Sequence, residues 1–152
     1  MRVTSFLVGC FVVALAGCAT APGSAVDEDR LPQTDATTVT GVSAADSLLQ
    51  QGEQARAQGD YSAAIHLLER GLRLAPRSAS FYLALAKTRL AMADFSKAQQ
   101  MAQRAISLLP SEPRSSQNKM KAEAWDVIAQ ARSEAGDSMG ADRARANAKA
   151  LR

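Results

Sequence analysis

The chain has 152 residues, a formal net charge of +3 at pH 7, and only two cysteines and one histidine. A length of this order suits a single globular domain with short accessory segments. The modest basic excess is more typical of a solvated surface than of a binding site, and the scarcity of cysteine and histidine disfavours a disulfide framework or a metal centre.

The first eighteen residues have the pattern of a bacterial export signal. Arg2 supplies a positive charge, and Phe6 to Ala16 form an almost unbroken apolar run, shorter than the roughly 20 residues that a spanning helix needs. The run ends in Leu15-Ala16-Gly17-Cys18, which resembles the lipobox of bacterial lipoproteins. This resemblance implies that residues 1–17 are a cleaved signal peptide and that Cys18 carries a covalent lipid. An ordinary signal peptide with a chance cysteine is the alternative.

The residue after the cysteine indicates a destination. In lipoproteins an Asp at this place often retains the protein at the inner membrane, so Ala19 implies transport to the outer membrane, with the protein facing the periplasm. The lipid would anchor the chain stably, since several acyl chains hold where a single chain binds only marginally. Export also removes the chain from nucleic acid, which we therefore do not expect as a partner.

Residues 18–44 are predicted to be the lipidated cysteine followed by a flexible tether. The tether contains Pro, Gly, Ser and Thr, four acidic residues against one Arg, and no aromatic residue. Such a composition buries too little apolar surface to offset the entropy of ordering it. Fully stretched, the tether spans about 85–94 Å, which is enough for a folded domain to reach into the cell wall.

Residues 45–152 contain a repeated pattern. The stretch GDYSAAIHLLERGLRLAP, at 59–76, recurs 34 residues later as ADFSKAQQMAQRAISLLP. Aligned in full, the copies occupy 45–78 and 79–112, and a weaker third copy occupies 122–152 after an insert at 113–121. Each copy predicts a helix, a turn and a second helix. The aspartates expected to cap the second helices are Asp60, Asp94 and Asp137, and the prolines expected to end them are Pro76 and Pro110.

Small residues recur at three places in every copy. These places hold only glycine or alanine: Gly52, Ala64 and Gly71, then Ala86, Ala98 and Ala105, then Ala129, Ala141 and Ala148. Small side chains at helix crossings allow the helix axes to approach closely. The predicted fold class is therefore all-α, with three stacked helical hairpins.

This pattern resembles the tetratricopeptide repeat, a 34-residue helix-turn-helix unit. The large residue near the start of each unit is Leu48, Tyr82 or Trp125, and the glycine-acid-aromatic turn is Gly59-Asp60-Tyr61 in the first copy. The third copy keeps a Gly-Asp turn but lacks its aromatic residue. The resemblance implies a short α-solenoid whose first helices line a concave groove for another protein.

The resemblance also identifies groove positions in each first helix. The residues there that we expect to contact a protein partner are Leu49, Glu53, Arg56, Leu83, Lys87, Leu90, Asp126 and Gln130. The three leucines are expected to be exposed, and apolar side chains on a groove favour a partner segment. Coverage by the tether or by neighbouring packing is the alternative. The family's clamp for a C-terminal carboxylate is not matched, because Leu49 and Glu53 replace its Lys and Asn.

The insert, PRSSQNKMK, has two interpretations. Pro113 is expected to stop the preceding helix, and Ser115 or Ser116 to cap a lengthened first helix of the third copy. The three positive charges of the insert form either a basic lip beside the groove or a surface extension without a partner.

Reactive groups are scarce in the sequence. His66 has no cysteine or acid at ligand spacing, so it is predicted to be a surface residue rather than a metal ligand. The glycines are isolated, which disfavours a phosphate-binding loop. We expect no enzymatic activity, no catalytic or metal site, no cofactor apart from the lipid on Cys18, and no small-molecule substrate.

The order of lipid, tether and small repeat domain resembles outer-membrane lipoprotein activators of class A penicillin-binding proteins. This resemblance implies a protein that binds and activates or scaffolds a peptidoglycan synthase in cell-wall biogenesis. The alternative is a pilotin-like lipoprotein that assists assembly of a pilus or secretion channel in the outer membrane. Such proteins usually carry longer repeat arrays, which counts against it.

Overall fold

The computed structural model describes residues 43–111 and 114–152. The helices of these residues are α1 (Ala44–Ala57), α2 (Tyr61–Leu74), α3 (Ala79–Ala91), α4 (Phe95–Leu108), α5 (Ser115–Glu134) and α6 (Ser138–Lys149). The predicted signal peptide, Cys18, the tether up to residue 42 and Pro113 lie outside the described residues. None of these six helices has the length and apolar character that crossing a membrane requires.

The helices form three consecutive hairpins. α1 packs on α2, α3 on α4, and α5 on α6, while contacts between α2 and α3 and between α4 and α5 join successive hairpins. Contacts of α3 with both α1 and α5 bring the three first helices side by side. This arrangement confirms the predicted all-α solenoid.

The predicted aspartate caps are present at all three turns. The Oδ1 atoms of Asp60, Asp94 and Asp137 accept the backbone N–H groups of Ala63, Lys97 and Gly140 at 2.9, 3.3 and 2.9 Å. Each carboxylate therefore satisfies an unpaired donor and lies at the positive end of a helix dipole. α2 and α4 each end two residues before the predicted proline stop.

Two helices begin differently from the prediction. α1 begins inside the predicted tether because Ser43 and Asp46 form a reciprocal capping box: Ser43 Oγ accepts the Asp46 N–H at 3.1 Å, and the Asp46 carboxylate accepts the Ser43 N–H at 3.2 Å. The lengthened α5 is present, but the prediction of a serine cap was wrong. Ser115 is already its first helical residue, and the Gln117 side chain accepts the Arg114 N–H at 2.9 Å instead.

All nine predicted small residues are buried. The tightest contact joins Gly71 of α2 to Phe81 of α3, because a Cβ added to Gly71 would overlap the Phe81 ring. A Cβ added to Gly52 of α1 would lie 2.7 Å from Leu68 Cγ of α2. Residues without a large side chain therefore set the distances between these helices, as predicted.

One of the turns contains a residue unlike its counterparts. Gly59 and Gly136 follow α1 and α5 with φ of 82° and 84°, in the left-handed region that glycine adopts freely. Ala93 occupies the same place after α3 with φ of 59°. A residue with a Cβ is disfavoured in this region by about 1–2 kcal/mol. Ala93 is therefore held in this conformation by the hydrogen bonds of the turn, in which the Asp94 N–H donates to Arg89 O at 2.9 Å.

We expect Ala93→Gly to stabilise the protein by about 0.5–1 kcal/mol, because relief of the left-handed strain exceeds the added backbone entropy of glycine in the unfolded chain. The reciprocal changes Gly59→Ala and Gly136→Ala are expected to destabilise it by about 1 kcal/mol. A Cβ at either glycine would meet no atom within 4 Å, so the backbone alone sets the cost. Urea denaturation measures all three differences, and a less stable Ala93→Gly variant would contradict this explanation.

Asp94 makes more interactions than a helix cap requires. Its carboxylate lies 3.1 Å from Lys97 Nζ and 3.8 Å from Arg89 Nη1. The hydrogen bond from the Lys97 side chain is the main reason that the pKa of Asp94 lies below its ordinary value. The Lys97 backbone N–H and the positive charges of Lys97 and Arg89 act in the same direction, and desolvation opposes them.

We expect Asp94→Asn to melt at a lower temperature than the wild type at neutral pH, since asparagine keeps a capping oxygen but loses the charge. A carboxyl group with a depressed pKa stabilises the folded state above its unfolded value of about 3.9, and this contribution is lost as the pH falls through the lower folded value. The difference in melting temperature should therefore shrink below about pH 4. Circular dichroism melts over this range test it, and a constant difference would exclude the charge as its cause.

Candidate protein-binding groove

Two adjoining pockets lie on the face formed by α1, α3 and α5. The end pocket, of about 300 Å³, is lined by Leu49, Glu53, Ser80, Leu83, Lys87, Ser116, Lys119, Met120 and Glu123. The central pocket, of about 480 Å³, is lined by Arg56, Lys87, Leu90, Ala91, Glu123, Asp126, Val127 and Gln130. Every lining residue belongs to the first helix of its hairpin, so together the two pockets form the predicted groove.

The eight residues predicted to contact a partner all line this groove. Leu49, Glu53 and Leu83 lie in the end pocket, Arg56, Leu90, Asp126 and Gln130 lie in the central pocket, and Lys87 borders both. Their contact with a partner stays a prediction.

One expectation about the groove leucines is wrong. Leu83 is only 5% exposed, because it also packs into the core shared by α3, α4 and α5. Leu49 and Leu90 are half-buried. Leu83 is therefore the floor of the end pocket rather than a projecting contact, and the other two leucines form apolar parts of the pocket walls.

An ion pair separates the two pockets. Lys87 Nζ of α3 lies 2.6 Å from Glu123 Oε2 of α5, and both residues line both pockets. The pair joins the first helices of the second and third hairpins across the groove. Since both side chains remain partly exposed, we expect the pair to contribute about 0–1 kcal/mol to stability. It therefore shapes the groove more than it holds the fold.

Arg56 provides an uncompensated positive charge in the central pocket. Within residues 43–111 and 114–152, Arg56 Nε has no hydrogen-bond partner, although this atom is shielded from solvent. The two acids of the same pocket pair with other cations, Glu123 with Lys87 and Asp126 with Arg152. Leaving a buried donor without an acceptor costs about 1–3 kcal/mol. The central pocket therefore favours a ligand that brings an acceptor or a negative charge.

The contribution of the start of α5 was not among the predicted groove residues. Its first seven residues, 115–121, are named here the α5 extension, and they help to lengthen α5 to 20 residues against 13 in α3. Ser116, Lys119 and Met120 of the extension line the end pocket. Their spacing of three and four residues was the available signal, because such residues share one helix face. The insert thus forms a wall of the groove, which favours the lip over the free surface extension.

The described residues contain no group of three or more His, Cys, Asp or Glu side chains that could hold a metal ion. His66 is exposed on α2, away from the lining of either pocket. The groove itself offers apolar, charged and amide side chains. These are the groups that recognise an extended or helical polypeptide.

The comparisons with known proteins agree with this fold. The model of the tetratricopeptide repeat family matches residues 55–123. The globular C-terminal domain of P. aeruginosa LpoP is 36% identical to this chain, with a TM-score of 0.63, and the match covers 74% of this chain and 99% of that one.

Two more distant structures share the fold alone. The second TPR of Spaghetti (RPAP3), bound to the HSP90 peptide SRMEEVD, is 20% identical with a TM-score of 0.61, over 71% of this chain and 92% of that one. The N-terminal domain of stress-induced protein-1 (STI-1) from C. elegans is also 20% identical with a TM-score of 0.61, over 71% and 84%. A comparison with curated proteins found no match.

Proposed function

Because this chain belongs to the tetratricopeptide repeat family and its repeat domain is a relative of the C-terminal domain of P. aeruginosa LpoP, we propose that it binds a segment of another protein in the groove. The observation that carries this proposal is the pair of adjoining pockets lined only by residues of α1, α3 and α5. Their half-buried leucines lose contact with water when an apolar side chain binds. Such burial contributes about 25 cal/mol per Å².

The partner that we propose is a class A penicillin-binding protein. We also propose that a lipid on Cys18 anchors the chain in the outer membrane. Support comes from the lipobox-like residues 15–18, the tether-like composition that follows, and the 36% identity to the LpoP domain. A tether that spans about 85–94 Å when stretched allows a periplasmic domain to meet a synthase within the wall. Binding activates the synthase to the extent that the groove prefers its active conformation.

Photo-crosslinking in intact cells tests the groove and the partner together. A photoreactive amino acid replaces Gln130, which is exposed in the central pocket, and the matched control places it at Glu69, which is exposed on α2. We expect the Gln130 probe to capture a class A penicillin-binding protein and the Glu69 probe to leave it free. Fractionation of the same cells is expected to place the chain in the outer membrane. Capture of a secretion-channel subunit at Gln130 would instead favour the pilotin-like alternative.

An assay with purified proteins tests activation separately. The full chain, in detergent, is added to a class A synthase, and glycan polymerisation and peptide crosslinking are followed. We expect a higher synthase rate with the wild type and a much smaller increase with Leu90→Arg, which places a charge on the apolar wall of the central pocket. If the chain binds the synthase but the synthase rate stays unchanged at saturating concentrations of the chain, activation would be contradicted and the binding proposal would remain intact.

A further inference from the structure

We propose that the groove recognises two side chains of one partner segment: an apolar side chain in the end pocket, and the side-chain carboxylate of an Asp or Glu at Arg56 in the central pocket. This inference rests on the proposed binding function and specifies the sequence that the groove selects. The occupant is an internal segment of the partner protein rather than its C-terminus, because Leu49 and Glu53 replace the Lys and Asn of the family's clamp for a C-terminal carboxylate.

The apolar anchor follows from the composition of the end pocket. Three helices contribute apolar side chains to it: Leu49 from α1, Leu83 from α3 and Met120 from the α5 extension. Leu83 forms a nearly buried floor, while Leu49 and Met120 are half-buried and form walls. A methionine wall adapts to apolar side chains of different shapes. The α5 extension therefore turns an open end of the groove into a pocket with three apolar sides.

The carboxylate anchor follows from the charges that remain after internal pairing. In the central pocket Arg56 makes no ion pair with the described residues, whereas both acids of that pocket do pair. In the end pocket the lining charges sum to zero, since Glu53 and Glu123 oppose Lys87 and Lys119. A surplus positive charge is thus confined to the central pocket. Arginine binds a carboxylate through parallel hydrogen bonds that are about twice as strong as neutral ones.

The distance between the two anchors sets their spacing in the partner sequence. Leu49 and Arg56 are seven residues apart on α1, which places them about 10 Å apart along the helix axis. An extended segment covers about 10 Å in three residues, and a helical segment covers it in seven. The bound segment passes over the Lys87–Glu123 ion pair, which lies between the two pockets. The partner sequence therefore has its acidic residue three or seven positions from its apolar anchor.

A displayed library of random peptides tests this preference. The peptides are fused to the coat protein through their C-termini, so that no terminal carboxylate is free, and are selected on the full chain in detergent. We expect the enriched peptides to share an apolar residue and an Asp or Glu at one of the two spacings. Selection on Arg56→Gln is expected to keep the apolar residue and lose the acid, and selection on Met120→Ser to do the reverse.

Affinities of the best selected peptide make the test quantitative. Because hydrogen bonds to charged groups contribute about 1.5–3 kcal/mol, Arg56→Gln is expected to weaken binding about ten- to a hundredfold. Changing the acid of the peptide to its amide should weaken binding equally, and the two changes together should add little more. Arg70→Gln, at an exposed position of α2 outside the lining of either pocket, is the matched control and should change the affinity less than about twofold. Circular dichroism melts verify that each variant is folded.

Any of four outcomes would overturn this inference. Enriched peptides without an acid, or full affinity for Arg56→Gln, would remove the carboxylate anchor while leaving groove binding intact. If every selected peptide bound the Leu90→Arg variant as tightly as the wild type, that result would count against the proposed function as well. An affinity that rises about tenfold when Asp27, Glu28 and Asp29 are replaced by Asn, Gln and Asn would identify this chain's own acidic segment as the occupant of Arg56.

Discussion

Replacing Gly71 by alanine is expected to destabilise the protein by about 2 kcal/mol, although alanine is the better helix former by about 1 kcal/mol. The added Cβ would overlap Cε1 and Cζ of Phe81, which is 2% exposed in the core. Overpacking of a close-packed site costs about 1–3 kcal/mol and occasionally more. The contact lies between α2 and α3, so the loss weakens the joint between the first and second hairpins. Urea denaturation of the full chain measures it.

Gly71→Ala should change the stability in the opposite direction when the Phe81 ring is absent. Phe81→Ala alone is expected to cost about 3–5 kcal/mol, because it leaves a cavity in the core. In that background Gly71→Ala should stabilise the protein by about 1 kcal/mol, since only the helix propensity remains. The next joint already has small residues at the two matching places, Ala105 and Ala124, and both are buried. Equal effects of Gly71→Ala in the two backgrounds would exclude the Phe81 ring as the cause.

Ala144→Leu is expected to destabilise the third hairpin by about 2–3 kcal/mol. Ala144 is 1% exposed on α6, which packs on α5, and a leucine there adds three heavy atoms where the helices are close. Each hairpin of a repeat array contacts only its neighbours, so the damage should be local. We expect hydrogen exchange of the α6 amides to become much faster, while the amides of α2 and α3 keep most of their protection.

Ala146→Leu supplies the matched control for this prediction. Ala146 is two residues further along the same helix but is exposed, so the same enlargement should change stability by less than about 0.5 kcal/mol. Similar losses from the two substitutions would mean that leucine disfavours α6 for a reason other than packing. Uniformly faster exchange in every helix of Ala144→Leu would show instead that the array unfolds as a single unit.

The fold was predictable because its signals are local or strictly periodic. Three helix starts are predicted by capping aspartates, Asp60, Asp94 and Asp137, since a cap acts on N–H groups two or three residues away. The recurring Gly and Ala positions predict the helix crossings because equivalent positions pack in the same way in each hairpin of a repeat array. The same periodicity, combined with the family resemblance, placed all eight predicted residues on one groove.

The chemistry of the groove was not predictable in the same way. Leu83 forms the floor of the end pocket because it packs in a core with residues of α4 and α5. The sequence of α3 alone does not predict this packing. The positive φ of Ala93 was also not predictable, since a residue with a Cβ adopts it only where the surrounding structure holds the backbone in that conformation.

The sequence by itself therefore determined which stretches are helical and where the second helix of each hairpin is capped, because these depend on neighbours within one or two turns. Only the tertiary structure decided that Gly71 receives Phe81, that the α5 extension walls the end pocket, and that Glu123 is engaged by Lys87 while Arg56 keeps a surplus charge. Those outcomes depend on distances between side chains on different helices. Such distances follow from how the three hairpins stack, which a linear pattern of residue types does not contain.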